Sequence, residues 1–417
     1  MLEEIFLRFK KIRNAIAAKV SKKDTRALKS ATVIARGKHG ISRKQISRGA
    51  LDVLYKLHKA GFQAFIVGGG VRDLLLGKQP KDFDIATNAT PAQVRRTIRN
   101  SRVIGRRFQI VHVYFQNEIV EVSTFRGGSA SSITEFDNTF GTIEQDAWRR
   151  DFTINALYYS ISDFAVYDFM NAMDDIKAKK LVMIGDVKVR FHEDPIRILR
   201  AIRLAAKLPI TLDKAISAEI PGLSAKLLEV PQSRLFDELV KLFLSGGAQN
   251  SLPLLIDNGL LKLLFPGIHE TILHDKNAYG FVEAVLATTD DRLNQGKSVN
   301  PGYLIASMLW PYLQFKIKQK MDKGLRFSHA LSDSVPEVVR EQISVFPIPK
   351  RFLAMLRSVW MLQYHFERRR KNRVQRVLHH RYFRAGVDFL KLRAELGEVD
   401  QELADWWFKF HASRSRK

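Results

Sequence analysis

The strongest constraint on the fold of this chain is a change of pattern near residue 171. Before this point, short β-rich segments alternate with helical segments and then form a hairpin, whose strands are expected over residues 110–115 and 119–125. After it, apolar residues recur almost wholly at helical spacing, as over residues 195–208 and 352–366. The pattern therefore predicts an α/β domain with a mixed sheet, followed by helical domains.

The net charge narrows the class of partner. The 417 residues include 68 Lys and Arg against 43 Asp and Glu, a formal charge of +25. Such an excess predicts binding to a polyanion, which is RNA, DNA or an acidic membrane surface. The chain has no cysteine, so a disulfide framework, a cysteine zinc site and a thiol nucleophile are excluded, and a cytoplasmic location is expected. No apolar run approaches the length that crosses a bilayer, so we expect no transmembrane segment.

Much of the positive charge lies at the two ends. Residues 1–40 hold 11 Lys and Arg against 3 acids, and residues 366–417 hold 14 against 7. The first stretch has apolar residues at helical spacing, so we expect a basic helix that contacts RNA or a membrane surface, or is simply solvated. The second interleaves Tyr382 and Phe383 with arginines, which predicts phosphate contacts and stacking on single-stranded bases, with a solvated face as the alternative.

A glycine-rich turn, Gly68-Gly69-Gly70, separates an apolar strand from a helix. Glycine lets the backbone approach a phosphate closely, and the helix start supplies free N–H groups. We therefore interpret Gly68, Gly69, Arg72 and Asp73 as nucleotide-binding residues, and a tight structural turn is the alternative. The dinucleotide-binding fingerprint is excluded because Asp73 stands where it requires a third glycine.

Paired carboxylates predict a metal site. Asp82 and Asp84 lie two residues apart in a strand expected over residues 81–85, so both side chains should point to the same face. Adjacent acids repel each other, and Mg²⁺ prefers such oxygen ligands together with substrate phosphates. Glu121, in the second hairpin strand, completes a cluster suited to two-metal nucleotidyl transfer if its strand neighbours that of Asp84. The alternative is a pair of surface acids on an edge strand.

Arg149-Arg150-Asp151 places two cations and an acid before an apolar run. We interpret Arg150 as a ligand of a triphosphate. Asp151 is a candidate to accept a hydrogen bond from a ribose hydroxyl or to order the metal site, and a helix cap is its alternative role.

A second arginine stretch starts with Glu193-Asp194-Pro195 and contains Arg197 and Arg200. The pattern predicts a helix from Pro195 with Asp194 as its N-cap, and with both arginines on one face. An acceptor beside a donor can read the Watson–Crick edge of adenine or cytosine and reject guanine or uracil. The pair Asp194 and Arg197 does not by itself separate A from C.

The motifs Gly68-Gly69-x-x-Arg72-Asp73, Asp82-x-Asp84, Arg149-Arg150-Asp151 and Glu193-Asp194-x-x-Arg197 follow one another in this order. Together they resemble the class II tRNA nucleotidyltransferase/poly(A) polymerase family, and the resemblance covers residues 41–410. It implies an α/β nucleotidyltransferase head with a mixed sheet, followed by an all-helical neck, body and C-terminal region. The expected divisions are an N-terminal arm (1–40), a head (41–170), a neck with base recognition (171–235), an RNA-binding body (236–365) and a C-terminal RNA-binding arm (366–417).

The resemblance also implies roles for individual residues. Asp82 and Asp84 match metal ligands, and Asp151 matches an active-site acid. Positions that contact the nucleotide in the family are matched by Gly69, Arg72, Arg150, Arg197 and Arg200. Glu121 is assigned from strand geometry and is consistent with the third carboxylate of related nucleotidyltransferases. ATP is then the substrate, Mg²⁺ the cofactor and an RNA 3′ end the acceptor.

Within the family, Gly105-Arg106-Arg107-Phe108 resembles an element that marks bacterial poly(A) polymerases rather than CCA-adding enzymes. The expected activity is therefore template-independent addition of adenylate to RNA. A CCA-adding enzyme and a catalytically dead RNA-binding protein are the alternatives. The chain departs from the family pattern at Ala172, where glycine is usual, and in a short loop after Arg126.

Overall fold

The computed structural model describes residues 28, 30–105, 109–127, 140–368 and 371–414. The chain divides into two compact units. The head unit comprises Met1–Glu193 with Ile210–Ile216, and the helical unit comprises Asp194–Pro209 with Ser217–Lys417. The five-part division at residues 41, 171, 236 and 366 stays a prediction.

The elements up to Glu193 alternate between strands and helices. In chain order they are β1 (Thr32–Ile34), α1 (Arg48–Lys59), β2 (Ala64–Val67), α2 (Gly69–Leu75), β3 (Asp84–Thr87), α3 (Pro91–Thr97), β4 (Ser101–Ile104), β5 (Ile110–Tyr114), β6 (Ile119–Thr124), α4 (Ile143–Trp148), β7 (Leu157–Ser160), β8 (Val166–Asp168), α5 (Ala172–Ala178), β9 (Lys180–Leu181) and α6 (Val187–Glu193).

The described part of the head unit contains one eight-stranded sheet in the order β1-β8-β7-β2-β3-β6-β5-β4. Strands β3 and β6 are parallel, and the other neighbours are antiparallel. The sheet is therefore mixed, and the predicted α/β class of the head is confirmed. Because β3 is central, both of its neighbours contribute side chains beside Asp84.

The two faces of this sheet carry separate hydrophobic clusters. Ile66, Ile85 and Val122 belong to the larger cluster on one face. Phe65 and Val67 belong to the smaller cluster on the other face. This alternation follows from the period of two along a strand. It pins the register, because a slip by one residue would exchange the faces.

Some element boundaries differ from the sequence prediction. The apolar spacing over residues 41–61 predicts one helix, but the helix begins only at Arg48, because Ser42 and Gln45 first form a capped turn of 3₁₀-helix. Strands β1, β4, β7 and β8 were not predicted. Strand β7 is buried on both faces, so it lacks the alternation that reveals a strand.

Ala172 stands where the family usually has glycine, and the structure shows why alanine fits. The left-handed backbone conformation belongs to the preceding residue, Asn171, with φ of 57°. Ala172 itself starts α5, is fully buried in the larger cluster and donates its N–H to Asp168 Oδ1 at 3.0 Å. A methyl group is therefore part of the core at this joint.

The chain after Asp194 is almost entirely helical. Its elements are α7 (Ile196–Lys207), β10 (Thr211–Leu212), α8 (Lys214–Leu223), α9 (Gln232–Leu244), α10 (Ala248–Asp257), α11 (Leu260–Leu264), α12 (Pro266–His274), α13 (Lys276–Asn294), α14 (Pro301–Met308), α15 (Trp310–Asp322), α16 (Phe327–Val345), α17 (Lys350–Glu367), α18 (Lys371–Leu378), α19 (Phe383–Glu395) and α20 (Gln401–Arg414).

Three expectations for this part need correction. The spacing of apolar residues predicts one helix over residues 252–264 and another over 301–313, but each range is divided between two helices. Gly259, with φ of 70°, separates the first pair, and Pro311 follows the break in the second. The neck expected over 171–235 is not all-helical, because β9 and β10 pair in parallel.

The C-terminal region is a packed structure rather than a solvated arm. Its helices form a hydrophobic cluster that includes Phe366, Phe383 and Trp407, and the Trp407 indole donates to the carbonyl of Phe366 at 3.1 Å. Phe383 is only 6% exposed, so its predicted stacking on RNA bases is wrong. Tyr382 stays partly exposed.

The basic helix predicted from the apolar spacing over residues 2–20 lies outside the described residues. In the described part of the chain, the helices are either too short or too polar to cross a membrane.

Candidate active site

The glycine turn lies directly against two arginines of the predicted site. Gly68 has φ of 68°, and a Cβ placed on it would lie 3.3 Å from Arg150 Nη1. A Cβ on Gly69 would lie 3.3 Å from Arg72 Nη2. Because Gly68 and Gly69 have no side chain, their backbone lies close to both guanidinium groups. A larger residue at either position would crowd the neighbouring guanidinium group.

Asp84 is the first residue of β3, and Asp82 lies two residues before it. The strand predicted over 81–85 is therefore shifted. Both carboxylates are exposed, whereas Phe83 and Ile85 are buried in the core, as expected for side chains that point the other way. The predicted common face of Asp82 and Asp84 agrees with this alternation of exposed and buried residues.

Glu121 lies on the strand next to Asp84. In the parallel pair β3–β6, Asp84 is aligned with Glu121, so the two side chains share a face of the sheet. The neighbour relation on which the prediction for Glu121 depended is confirmed. On the other side of Glu121, His112 of β5 is its antiparallel partner, and His112 Nε2 lies 3.3 Å from Glu121 Oε1.

The electrostatics at Asp84 are those of a crowded carboxylate. Its pKa is raised from 3.8 to about 6, chiefly because neighbouring atoms displace water from it and next because of the charge of Glu121. Arg150 opposes this rise, and Asp82 adds a smaller increase. A cation bound here would relieve the repulsion. Among the described residues, no group of three or more His, Asp or Glu side chains is arranged to hold a metal ion, so the three-carboxylate metal site stays a prediction.

Arg150 is fixed by two side chains that the sequence prediction did not include. Its Nη2 donates to Asp146 Oδ2 at 3.0 Å, and its Nε donates to the hydroxyl of Tyr158 at 3.0 Å. The Tyr158 hydroxyl donates in turn to Asp146 Oδ2 at 2.7 Å. The one signal in the sequence is the spacing of four residues between Asp146 and Arg150 on a helical turn. Tyr158 follows from the strand arrangement alone.

Arg190 binds the backbone of the segment that carries Arg149 and Arg150. Its Nη2 donates to the carbonyl of Arg149 at 3.1 Å and to that of Arg150 at 2.5 Å. Its Nη1 pairs with Glu193 at 2.9 Å, and the side chain of Arg190 is buried. Glu193, the first residue of the second arginine motif, therefore orients Arg190. Arg190 in turn binds the backbone of Arg149 and Arg150, in the first arginine motif.

Arg72 and Asp151 are joined through Asn155. Arg72 Nη1 donates to Asn155 Oδ1 at 2.6 Å, and Asn155 Nδ2 donates to Asp151 Oδ1 at 3.0 Å. Arg72 also pairs with Asp73 at 2.7 Å and is only 6% exposed. Asn155 was not predicted as a site residue. Asp151 does not cap an α-helix; its Oδ1 also accepts from the backbone of Phe152 at 2.8 Å.

The second arginine motif belongs mostly to the helical unit. Helix α7 begins at Ile196 with Pro195 as its N-cap, so the predicted cap position of Asp194 is off by one residue. Asp194 still accepts from the Ile196 N–H at 3.3 Å and pairs with Arg234 Nη2 at 2.7 Å. Arg197 and Arg200 are both partly exposed, while the residues between and beside them are buried, which supports the predicted shared face.

Two features singled out in the sequence cannot be placed. Arg106, Arg107 and Phe108 lie outside the described residues, and so does most of the loop after Arg126, over residues 128–139. The described part of the head site is therefore the glycine turn, the carboxylates of β3 and β6, and the networks around Arg72 and Arg150.

Comparison with protein families matches three parts of the chain. Residues 64–182 match the "Poly A polymerase head domain", residues 210–272 the "Probable RNA and SrmB- binding site of polymerase A", and residues 323–417 the "Polymerase A arginine-rich C-terminus". The first match contains the whole carboxylate and glycine-turn region. The last contains the basic C-terminal helices.

Individual relatives agree with these matches. Poly(A) polymerase I of Escherichia coli O6:H1 is 44% identical over 401 residues, which is 92% of this chain and 86% of that protein. The CCA-adding enzyme of Lactobacillus johnsonii is 33% identical over 266 residues, 60% of this chain and 66% of that one. In fold, the chain is similar to the Bacillus stearothermophilus CCA-adding enzyme solved with CTP, with a TM-score of 0.62 at 22% identity, over 88% of this chain and 82% of that one.

Proposed function

The chain belongs to the poly(A) polymerase I family of nucleotidyltransferases, and we propose that it adds adenylate from ATP to the 3′ ends of RNA without a template. The observation that carries this proposal is the extent of the relation, which includes the arginine-rich C-terminal helices as well as the head. The similarity to the CCA-adding relative covers a smaller part of the chain. RNA processing and decay are the settings in which such an activity is used.

Asp82 and Asp84 are the residues that we propose to hold a divalent metal ion, with Glu121 beside them. The family uses divalent ions in general. The donor set fits such an ion, because desolvation and the charge of Glu121 hold the pKa of Asp84 near 6, a cost that a bound cation removes. Mg²⁺ is the specific proposal, since it prefers carboxylate and phosphate oxygens. The chemistry gained on its binding is charge neutralisation around the reacting phosphates.

The residues around the glycine turn are proposed to hold ATP. Arg150 and Arg72 supply guanidinium groups in fixed orientations, which suits binding of triphosphate oxygens. Gly68 and Gly69 leave space for phosphate near those guanidinium groups. Asp73 and Asp151 are proposed to position Arg72. Asp73 pairs with Arg72 directly, and Asp151 holds Asn155, the residue that links it to Arg72.

The reaction is an in-line displacement. The RNA 3′-hydroxyl attacks the α-phosphate of ATP, a new P–O bond forms, the bond to the β-phosphate breaks, and pyrophosphate leaves. Arg72 and Arg150 keep the leaving group aligned. Proximity and electrostatic stabilisation supply most of the acceleration in this class of reaction.

Base selection is proposed for the start of α7. Asp194 offers an acceptor and Arg197 a donor, which together suit adenine or cytosine, and Arg200 adds positive charge on the same face. Arg234 holds the Asp194 carboxylate in one orientation. Asp194 and Arg197 do not by themselves distinguish adenine from cytosine. The proposed preference for ATP over CTP therefore rests on the relation to poly(A) polymerase I.

A comparison of nucleotides tests the proposal. We expect the protein, with Mg²⁺ and a 15-nucleotide oligo(A) primer, to incorporate ATP far more efficiently than CTP. Efficient incorporation of CTP into a tRNA that lacks its CCA end would instead identify a CCA-adding enzyme. Asp82→Asn and Asp84→Asn should each abolish addition while RNA binding is kept. Near-normal activity in either variant would exclude this site, and an inactive wild-type protein that binds RNA would support the dead RNA-binding alternative.

A further inference from the structure

A cavity of about 260 Å³ in the helical unit lies between the end of α13, the start of α14 and the turn that leads into α19. Three arginines, Arg292, Arg381 and Arg384, line it together with one acid, Asp388. Two aromatic rings, those of Tyr303 and Tyr382, form part of its wall. The cavity therefore combines an excess of positive charge with flat aromatic surface.

Two other cavities of the helical unit have the opposite charge balance. One is lined by Lys276 and Lys318 against Asp275, Asp322 and Glu398. The other is lined by Arg393 against Glu367, Glu398 and Asp400. Among these three, an anion is attracted to the arginine-lined one, which we call the Arg381 cavity.

The charges of the Arg381 cavity are available to a ligand. Arg381 and Arg384 are exposed, and neither forms an ion pair with an acidic side chain of the described residues. Arg381 lies over the ring of Tyr382, with 5.4 Å between its Cζ and the ring centroid. Arg292 is held only loosely by Asp388, at 3.9 Å between nitrogen and oxygen. A phosphate can therefore bind without breaking a strong pair.

We propose that the Arg381 cavity binds one internal nucleotide of the RNA strand, its phosphate on Arg381 and Arg384 and its base against Tyr382. The inference rests on the proposed action on RNA. Guanidinium forks match phosphate oxygens, and an aromatic ring stacks on any base, so recognition here is independent of sequence. The nucleotide is internal because the terminal one reacts at the carboxylates of Asp82 and Asp84, and neither of these lines the cavity.

Binding of a fluorescent 15-nucleotide oligo(A), without ATP and at several salt concentrations, tests the charge contribution. We expect the double variant Arg381→Ala/Arg384→Ala to bind about tenfold more weakly. Its slope of log affinity against log salt should also be shallower by about 1.4, since each single-strand phosphate contact contributes about 0.7. The matched control is Arg340→Ala/Arg357→Ala, which removes two exposed arginines that do not line the cavity.

The ring is tested separately. Tyr382→Ala should weaken oligo(A) binding about fivefold or more, whereas Tyr382→Phe should keep wild-type affinity, because stacking needs the ring and not the hydroxyl. Thermal unfolding of each variant checks that it is folded.

Three results would overturn the inference. The cavity is not an RNA site if the arginine double variant loses no more affinity than its control, or if Tyr382→Phe is as weak as Tyr382→Ala. It binds acidic protein rather than RNA if a polyglutamate peptide of equal charge competes as well as unlabelled oligo(A). Failure of the proposed function is distinct, because the wild-type protein would then extend no primer with ATP, whatever the variants bind.

Discussion

Asp84 and Glu121 stand side by side on the parallel strands β3 and β6, and the pKa of Asp84 is raised chiefly by desolvation and next by the charge of Glu121. The fold thus keeps two like charges together on two interior strands of the sheet, where β3 begins. This arrangement costs stability in the absence of a counter-ion. Such a stability cost is the expected property of a cation site, and it can be measured by unfolding the protein, without any assay of activity.

Replacing Asp84 by Asn should stabilise the metal-free protein at pH 7.5. The folded state raises the pKa from 3.8 to about 6, so the protonated form is favoured by folding. The resulting stability is present below about pH 4 and is lost as the pH rises through about 6. Because Asp84 is exposed, we expect a gain of only about 1 kcal/mol for Asp84→Asn at pH 7.5. Thermal unfolding in EDTA measures it.

The control for this prediction is Asp52→Asn, which removes a partly exposed carboxylate paired with Lys56 and should change little. Added Mg²⁺ should raise the unfolding temperature of the wild-type protein but not that of Asp84→Asn. A loss of stability in Asp84→Asn at pH 7.5 would contradict the account of a crowded carboxylate.

Gly68→Ala should impair ATP use beyond its effect on folding. Gly68 and Gly77 both have positive φ, of 68° and 70°, so alanine at either position strains the backbone by about 1–3 kcal/mol. Only at Gly68 does the new methyl group approach a neighbour, Arg150 Nη1 at 3.3 Å. We expect a higher KM for ATP in Gly68→Ala and an unchanged one in Gly77→Ala. Equal KM values in steady-state assays would mean that the close approach has no functional role.

Tyr158→Phe should weaken the hydrogen-bonded network that fixes the Arg150 side chain. The change keeps the buried ring but removes the hydroxyl that links Arg150 Nε, at 3.0 Å, to Asp146, at 2.7 Å. Burial raises the pKa of Tyr158, so its hydroxyl is neutral and can donate a hydrogen bond to Asp146. We expect a loss of about 1–3 kcal/mol in stability and a roughly tenfold fall in kcat/KM for ATP. Tyr167→Phe, which removes an exposed hydroxyl bonded to Asp163, should be near wild type in both measurements.

Asn155→Ala should disconnect Arg72 from Asp151. The buried Arg72 Nη1 and Asp151 Oδ1 each lose a hydrogen bond, so the free energy of unfolding should fall by about 1–3 kcal/mol. Because Arg72 then moves more freely, the KM for ATP should rise more than kcat falls. Asn100→Ala is the control, since Asn100 is exposed and its side chain bonds only the carbonyl of Tyr114 in the described structure. Indistinguishable KM values for the two variants would exclude a positioning role for Asn155.

The sequence by itself identified the candidate site positions. Asp82 and Asp84 follow from a period of two, and the glycine turn from its place between strand and helix. These signals are local, because they depend on which way neighbouring residues of one segment face. The same holds for the change to helical spacing near residue 171, which separated the α/β head from the helices.

Tertiary structure decided which segments meet. Local periodicity shows that Glu121 faces away from the core, but only the β3–β6 pairing places it beside Asp84. Tyr158 and Asn155 reach the arginines through contacts between residues far apart in the chain, which no local pattern encodes. Phe383 shows the same limit, since its basic neighbours suggested a surface ring and packing buried it. Burial depends on what covers a side chain, and the covering residues come from distant parts of the sequence.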